Sequence, residues 1–139
     1  MSRRYWIATG LVAFFVLVAA AFSTKELDAH YNSEQTILRA RYVLQSCEVY
    51  RGDPASGGKY PVALLDLHKR PSEGKSFLPD GDSDLLDMWG NPYRYAVIAN
   101  AHGEQEVYVW AERVVRGKLK LLGAKRNADG GIELFGLEK

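Results

Sequence analysis

The apolar and polar positions divide this chain into four stretches. From Tyr5 to Thr24 there is no charged residue; Ser2-Arg3-Arg4 precedes the run and Lys25-Glu26 follows it. As helix, 20 positions span about 30 Å, the thickness of a bilayer's hydrocarbon core. Residues 1–24 therefore predict a cytoplasmic tip and a transmembrane or leader helix. Arg3 and Arg4 would stay in the cytoplasm and the rest of the chain would lie across the membrane. Ala21-Phe22-Ser23 has the small ends of a signal cleavage site, but the apolar run exceeds the roughly 7–15 residues of a signal core, which favours a retained anchor.

Residues 25–51 contain no Pro and no Gly up to Arg51 and are rich in helix formers. Ile37, Ala40, Leu44, Cys47 and Arg51 recur at helical spacing, flanked by Leu38, Tyr42 and Val49, while Arg39, Arg41, Gln45 and Glu48 fall elsewhere. This predicts an amphipathic helix with one face for a sheet. Asn32-Ser33 can cap a separate start, or the helix runs unbroken from the membrane segment. Cys47 reads as a small buried hydrophobe on the apolar stripe.

Residues 52–86 read as linker, short helix and loop. Gly52-Asp53-Pro54-Ala55-Ser56-Gly57-Gly58 stops the helix. Pro61 can open a short helix over Val62 to Lys69. Arg70 to Asp84 is polar, with Phe77-Leu78-Pro79 as a lone apolar anchor, and a loop of that length is usually functional or mobile.

Residues 87–139 switch to a period of two. Tyr93, Tyr95 and Val97 alternate with Arg94, Ala96 and Ile98, predicting a first strand over Arg94 to Asn100. Glu106 to Ala111 predicts a second, with Val107, Val109 and Ala111 on one face and Tyr108 and Trp110 on the other. Lys118 to Leu122 predicts a third and Ile132 to Phe135 a short fourth. Each connection is short, so the strands should form an antiparallel meander. The fold class is α+β: a long N-terminal helix, half membrane and half amphipathic, packed on a small antiparallel sheet of three or four strands.

The sheet is launched by Asp87-Met88-Trp89-Gly90-Asn91-Pro92-Tyr93. Gly90 tolerates positive φ, Asn91 can bond nearby backbone, and Pro92 pushes Asn91 towards extended geometry. With Trp89 before the turn and Tyr93 after it, the run is expected to fix the helix–sheet junction.

Composition changes this picture little. A formal charge of +1 over 139 residues gives no pointer to nucleic acid or an acidic partner. A single cysteine excludes an intrachain disulfide framework and a cysteine zinc cluster. His30, His68 and His102 show no metal spacing, and there is no phosphate loop, nucleophile elbow or paired-carboxylate signature. Asp80, Asp82, Asp84 and Asp87 read as a solvated acidic loop. No catalytic residue, cofactor, metal, nucleic acid or small-molecule substrate is expected.

Taken in order, the apolar helix, its amphipathic continuation, Tyr50, Gly58-Lys59-Tyr60-Pro61, Leu64 to Leu67, Leu78-Pro79 and the Asp87–Tyr95 run resemble the G-type major pseudopilin of type II secretion, a relative of the type IV pilins. The likeness is best over Tyr42 to Tyr95, and Met88 stands where the family usually has Pro. It implies a structural subunit in the inner membrane, its sheet domain periplasmic, assembling with other pseudopilin-like subunits or secretion-machinery proteins and holding lipid through residues 5–24. Tyr60, Pro61, Asp87, Trp89, Gly90, Asn91, Pro92 and Tyr93 are the structural motif that the resemblance singles out.

Two departures matter. The family's leader is cut after a Gly, with a Glu five residues on; here Gly10 is followed at that distance by Phe15, and no acid occurs between Arg4 and Glu26. Family members also end the sheet with a Leu-Gly-Ala-Asp-Gly calcium loop. Here Leu122-Gly123-Ala124 is followed by Lys125-Arg126, and cations cannot stand in for oxygen ligands. Asn127 and Asp129 alone are too few. The alternative reading is a non-polymerising pilin-fold module, tethered or secreted, that binds a partner through the 70–84 loop and exposed aromatics.

Overall fold

A computed structural model describes residues 3–68 and 76–137, excepting the side chains of 3–14 and 22–24. One helix, α1 (Arg3–Gly52), is followed by an antiparallel sheet of β1 (Arg94–Ala99), β2 (Gln105–Val115), β3 (Lys118–Arg126) and β4 (Ile132–Phe135). The chain forms two compact units, Met1–Asn32 and Ser33–Lys139. In the first, Phe15, Val16, Leu17, Leu27 and Tyr31 are exposed. Among the described residues no helix is long and apolar enough to cross a membrane. Most of the 5–24 run that carries the transmembrane expectation (5–14 and 22–24) lies outside the described side chains.

The second unit is an α+β domain. Residues 33–52 of α1 lie on the sheet through Ile37, Ala40, Val43, Leu44 and Cys47, all buried. Ala40, Val43, Leu44 and Cys47 cluster with Val107, Val109 and Ala111 of β2 and Ala124 of β3, so both partners hide apolar faces that neither could hide alone. Tyr60, Leu64 and Leu67, together with Phe77, Leu78 and Leu85, close the core from the connecting segment. The helix stops at Gly52, where Asp53 instead caps a 3-10 turn over Pro54–Ser56 by accepting from the Ala55 N–H at 2.9 Å.

The strands lie in sequence order and all pair antiparallel. Arg94 faces Trp110, Val109 faces Ala124 and Gly123 faces Phe135.

Several boundaries differ from the sequence expectation. The short helix expected over Val62 to Lys69 is a 3-10 turn, Leu64–His68, because the Asp66 carboxylate gathers the Val62 and Ala63 N–H groups at 3.0 and 3.1 Å. Lys69 lies outside the described residues. The 70–84 loop ends in a third 3-10 turn, Gly81–Leu85; its residues up to 75 lie outside the described ones. β1 ends at Ala99, one residue early, because Asn100 caps the following turn: its Oδ1 accepts from the His102 and Glu104 N–H groups.

β2 runs on to Val115, past the expected Ala111, and β3 to Arg126, past the expected Leu122. Gly123 makes this possible. A Cβ there would lie 2.2 Å from the Val109 carbonyl oxygen and 2.8 Å from the Trp110 Cα. Leu38, Tyr42 and Val49, expected to flank the buried stripe, are exposed, and Thr36 and Val43 take buried places instead.

Candidate functional site

The Asp87–Tyr93 run is a turn stapled by one carboxylate. Asp87, expected in a solvated acidic loop, is instead buried, because its Oδ1 accepts from the Trp89 N–H at 2.8 Å and the Asn91 N–H at 2.9 Å. Its backbone N–H donates to the Asn91 carbonyl at 2.8 Å, and its carbonyl accepts from Gly90 at 3.1 Å. Gly90 has φ 81°, as the turn needs. Pro92 bridges Leu86, and the Tyr93 N–H donates to the Leu85 carbonyl at 3.0 Å.

Two side chains, one amide and the adjoining Leu86 carbonyl link this frame to its surroundings. The Tyr93 hydroxyl donates to the Thr36 carbonyl at 2.6 Å, and the Met88 N–H donates to Thr36 Oγ1 at 3.2 Å. The Arg113 guanidinium stacks on the Trp89 ring, 3.9 Å from its centroid. Arg39 reaches the Leu86 carbonyl at 3.4 Å. The run thus ties α1, the connecting segment and β2 together. Burial, and then the Asp87 charge, pushes the Tyr93 phenol well above its usual range.

Tyr60 and Pro61 form a separate pin near the end of α1. The Tyr60 hydroxyl donates to Glu48 Oε1 at 2.6 Å and accepts from Arg51 Nη1 at 3.0 Å. Arg126, at the end of β3, meets the same Glu48 oxygen at 2.7 Å. The Tyr95 hydroxyl donates to the Pro61 carbonyl at 2.8 Å. Burial first, then the hydrogen bond to Glu48, raises the Tyr60 phenol. The singled-out residues therefore form two clusters, at Thr36 and at Glu48, and not one site.

Thr36, Glu48, Arg113 and Arg126 were not singled out from the sequence. Thr36 could have been, since Thr36, Ala40, Val43 and Cys47 keep helical spacing. Glu48 and Arg126 are 78 positions apart in sequence and carry no local signal.

The remaining polar candidates are spread out. His68 Nδ1 is 3.3 Å from Asp82, Asp84 accepts from the Asp80 N–H, and His102 lies in the turn after β1. Asp129 accepts from the Gly131 N–H and Asn127 donates to Glu133. Among the described residues no group of three His, Cys, Asp or Glu could hold a metal.

On the face of α1 turned away from the sheet, Leu38, Tyr42 and Val49 are 38%, 69% and 61% exposed. At about 100° per residue they fall in one narrow arc opposite the buried stripe. Beside them a groove of about 600 Å³ runs between α1 and Ser76–Asp84, with Tyr42, Val49, Phe77 and Leu78 as apolar walls and Arg39 and Asp84 on its polar rim. No family model matches the chain, and neither curated proteins nor solved structures give a match.

Proposed function

We propose that this chain is a pseudopilin-like structural subunit, anchored in the inner membrane through residues 5–24, with its sheet domain periplasmic. It assembles by helix packing in a type II secretion or pilus-type filament and aids protein export. One observation carries the reading: α1 has two apolar faces within one domain. The first lies on the sheet, and the second, Leu38, Tyr42 and Val49, is open to solvent. A helix that serves only its own domain has a polar outer face, so an outer apolar stripe supports a helical neighbour. In sequence the stripe continues eleven residues back to Leu27 and Tyr31. An eleven-residue repeat suits gently right-handed packing of long helices.

The test is site-specific photo-crosslinking of the full-length chain in its native membranes. A crosslinker at Leu38 or Tyr42 should give homo-oligomeric ladders, and one at Glu104, in the turn after β1, should not. Only monomer from both positions would overturn the filament reading.

The groove between α1 and Ser76–Asp84 favours a second reading, a tethered module that binds a different protein without polymerising. In that case the Tyr42 crosslinker yields one discrete heterologous product and no ladder.

A further inference from the structure

β1 is an outermost strand of the sheet, with β2 on one side only. The direction of its backbone groups follows from its two ends. The Asn100 N–H donates to the Glu104 carbonyl at 2.8 Å, towards β2, whereas the Tyr93 N–H donates to the Leu85 carbonyl, away from β2. Backbone groups alternate along an antiparallel strand. Arg94, Ala96 and Ile98 therefore pair with β2, while Tyr95, Val97 and Ala99 turn their N–H and C=O groups outward. The bridge between Leu86 and Pro92 covers the outer side where the strand begins. Beyond Tyr93 no described segment pairs with that side.

Native sheets blunt such edges with charge, proline, a bulge or shortness. The opposite edge, β4, is four residues long and carries Glu133. β1 has none of these devices past Arg94. Residues 95–99 hold no charge, proline or glycine, and their pairing with β2 runs without a bulge.

Beside this edge lies a pocket of about 450 Å³, lined by Lys59, Tyr60, Pro61 and Val62 of the connecting segment and by Tyr95 and Val97 of β1. Tyr95 and Val97 pack against the core, so the pocket lies on the core-facing side of the strand. A strand added to β1 would place every second side chain on that side. Lys59 is exposed and has no acidic partner among the described residues.

We propose that the outer edge of β1 is a docking site for an extended, acid-bearing segment of a different protein. The segment adds as a strand along Tyr95, Val97 and Ala99, puts an apolar side chain into the pocket and sets a carboxylate against Lys59. A second copy of β1 does not meet these demands. Its Tyr95 and Val97 are held by its own core, and it has no acid to offer Lys59. The edge shares no residue with the outer stripe of α1 and does not depend on the filament reading.

The experiment reads residue-resolved amide hydrogen exchange of the full-length chain in detergent micelles. Without a partner, the Tyr95, Val97 and Ala99 amides should exchange much faster than those of Arg94, Ala96 and Ile98. The probe is a Thr-Val-Thr-Leu-Thr-Glu-Thr peptide methylated at its threonine nitrogens, so that it pairs through one edge and cannot stack on itself. It should slow exchange at the three outward amides several-fold. A peptide with Gln in place of Glu should protect less, and Lys59→Gln should erase that difference. Ala99→Pro removes one outward N–H at an edge position where proline is tolerated. It should keep the melting temperature and weaken the peptide's protection several-fold. No protection at millimolar peptide, or slow exchange of the outward amides in the free chain, would overturn the docking edge. Protection that grows with the concentration of the chain alone would give the edge to a second copy and overturn the acidic partner.

Discussion

The Tyr93 hydroxyl and the Thr36 carbonyl, 57 positions apart, meet at 2.6 Å in a buried setting. This bond joins the amphipathic helix to the turn that starts the sheet. The buried carbonyl has no access to water as a substitute partner. Tyr93→Phe should cost about 1–2 kcal/mol, read as a lower urea midpoint with an unchanged slope. An unchanged midpoint would mean that the carbonyl finds another donor.

Two glycines should respond to alanine for different reasons. At Gly90 nothing lies within 4 Å of the place a Cβ would take, so only its φ of 81° resists substitution. Gly90→Ala should cost about 1–2 kcal/mol, and Gly90→Asn less. At Gly123 the obstacle is the backbone of Val109 and Trp110. Gly123→Ala should cost about 3 kcal/mol or more and disturb the β2–β3 pairing. Thermal melts of the three variants order them directly.

Alkaline pH should unfold the domain. Tyr93 and Tyr95 are both pushed up mainly by burial, from a usual value of 10.0, and Tyr60 follows in the same direction. Each folded-state pKa exceeds its unfolded value, so the folded state holds the phenolic protons more tightly. Stability is fully present below pH 10 and falls as pH rises from there towards the folded values. Urea midpoints should stay level from neutral pH to about pH 9 and then drop. Tyr93→Phe should flatten part of that drop.

Burial, with Glu48 adding a little, pushes the Cys47 thiol up to about 12. In the folded chain it should resist maleimide at mildly alkaline pH, and it should label readily in denaturant. Labelling of the native protein at the rate of a free thiol would contradict the packing of α1 on β2.

The period of two around Tyr93–Val97 and Val107–Ala111 is enough to place the strands, because their core face is strictly apolar. Their ends are harder. β3 continues through Leu122-Gly123-Ala124 only because Gly123 admits the backbone of Trp110, a contact invisible to local pattern. On α1, hydrophobicity alone does not tell which of two apolar stripes faces the sheet. Leu38, Tyr42 and Val49 are as apolar as Val43 and Leu44, and only the tertiary structure separates them. The Glu48–Arg126–Tyr60 cluster has no sequence signature because its members come from three distant segments.

The strict sequence order of the four strands bears on how the chain folds. Every strand pairs with its immediate neighbour, so the meander closes by short loops that cost little entropy. The longer closures are those that bring the helix to the sheet, over 57 positions from Thr36 to Tyr93 and 78 from Glu48 to Arg126. The sheet can therefore form early as a local unit, while docking of the helix sets the overall rate. A chain whose helix is detained elsewhere would then present a preformed apolar sheet face that waits for it.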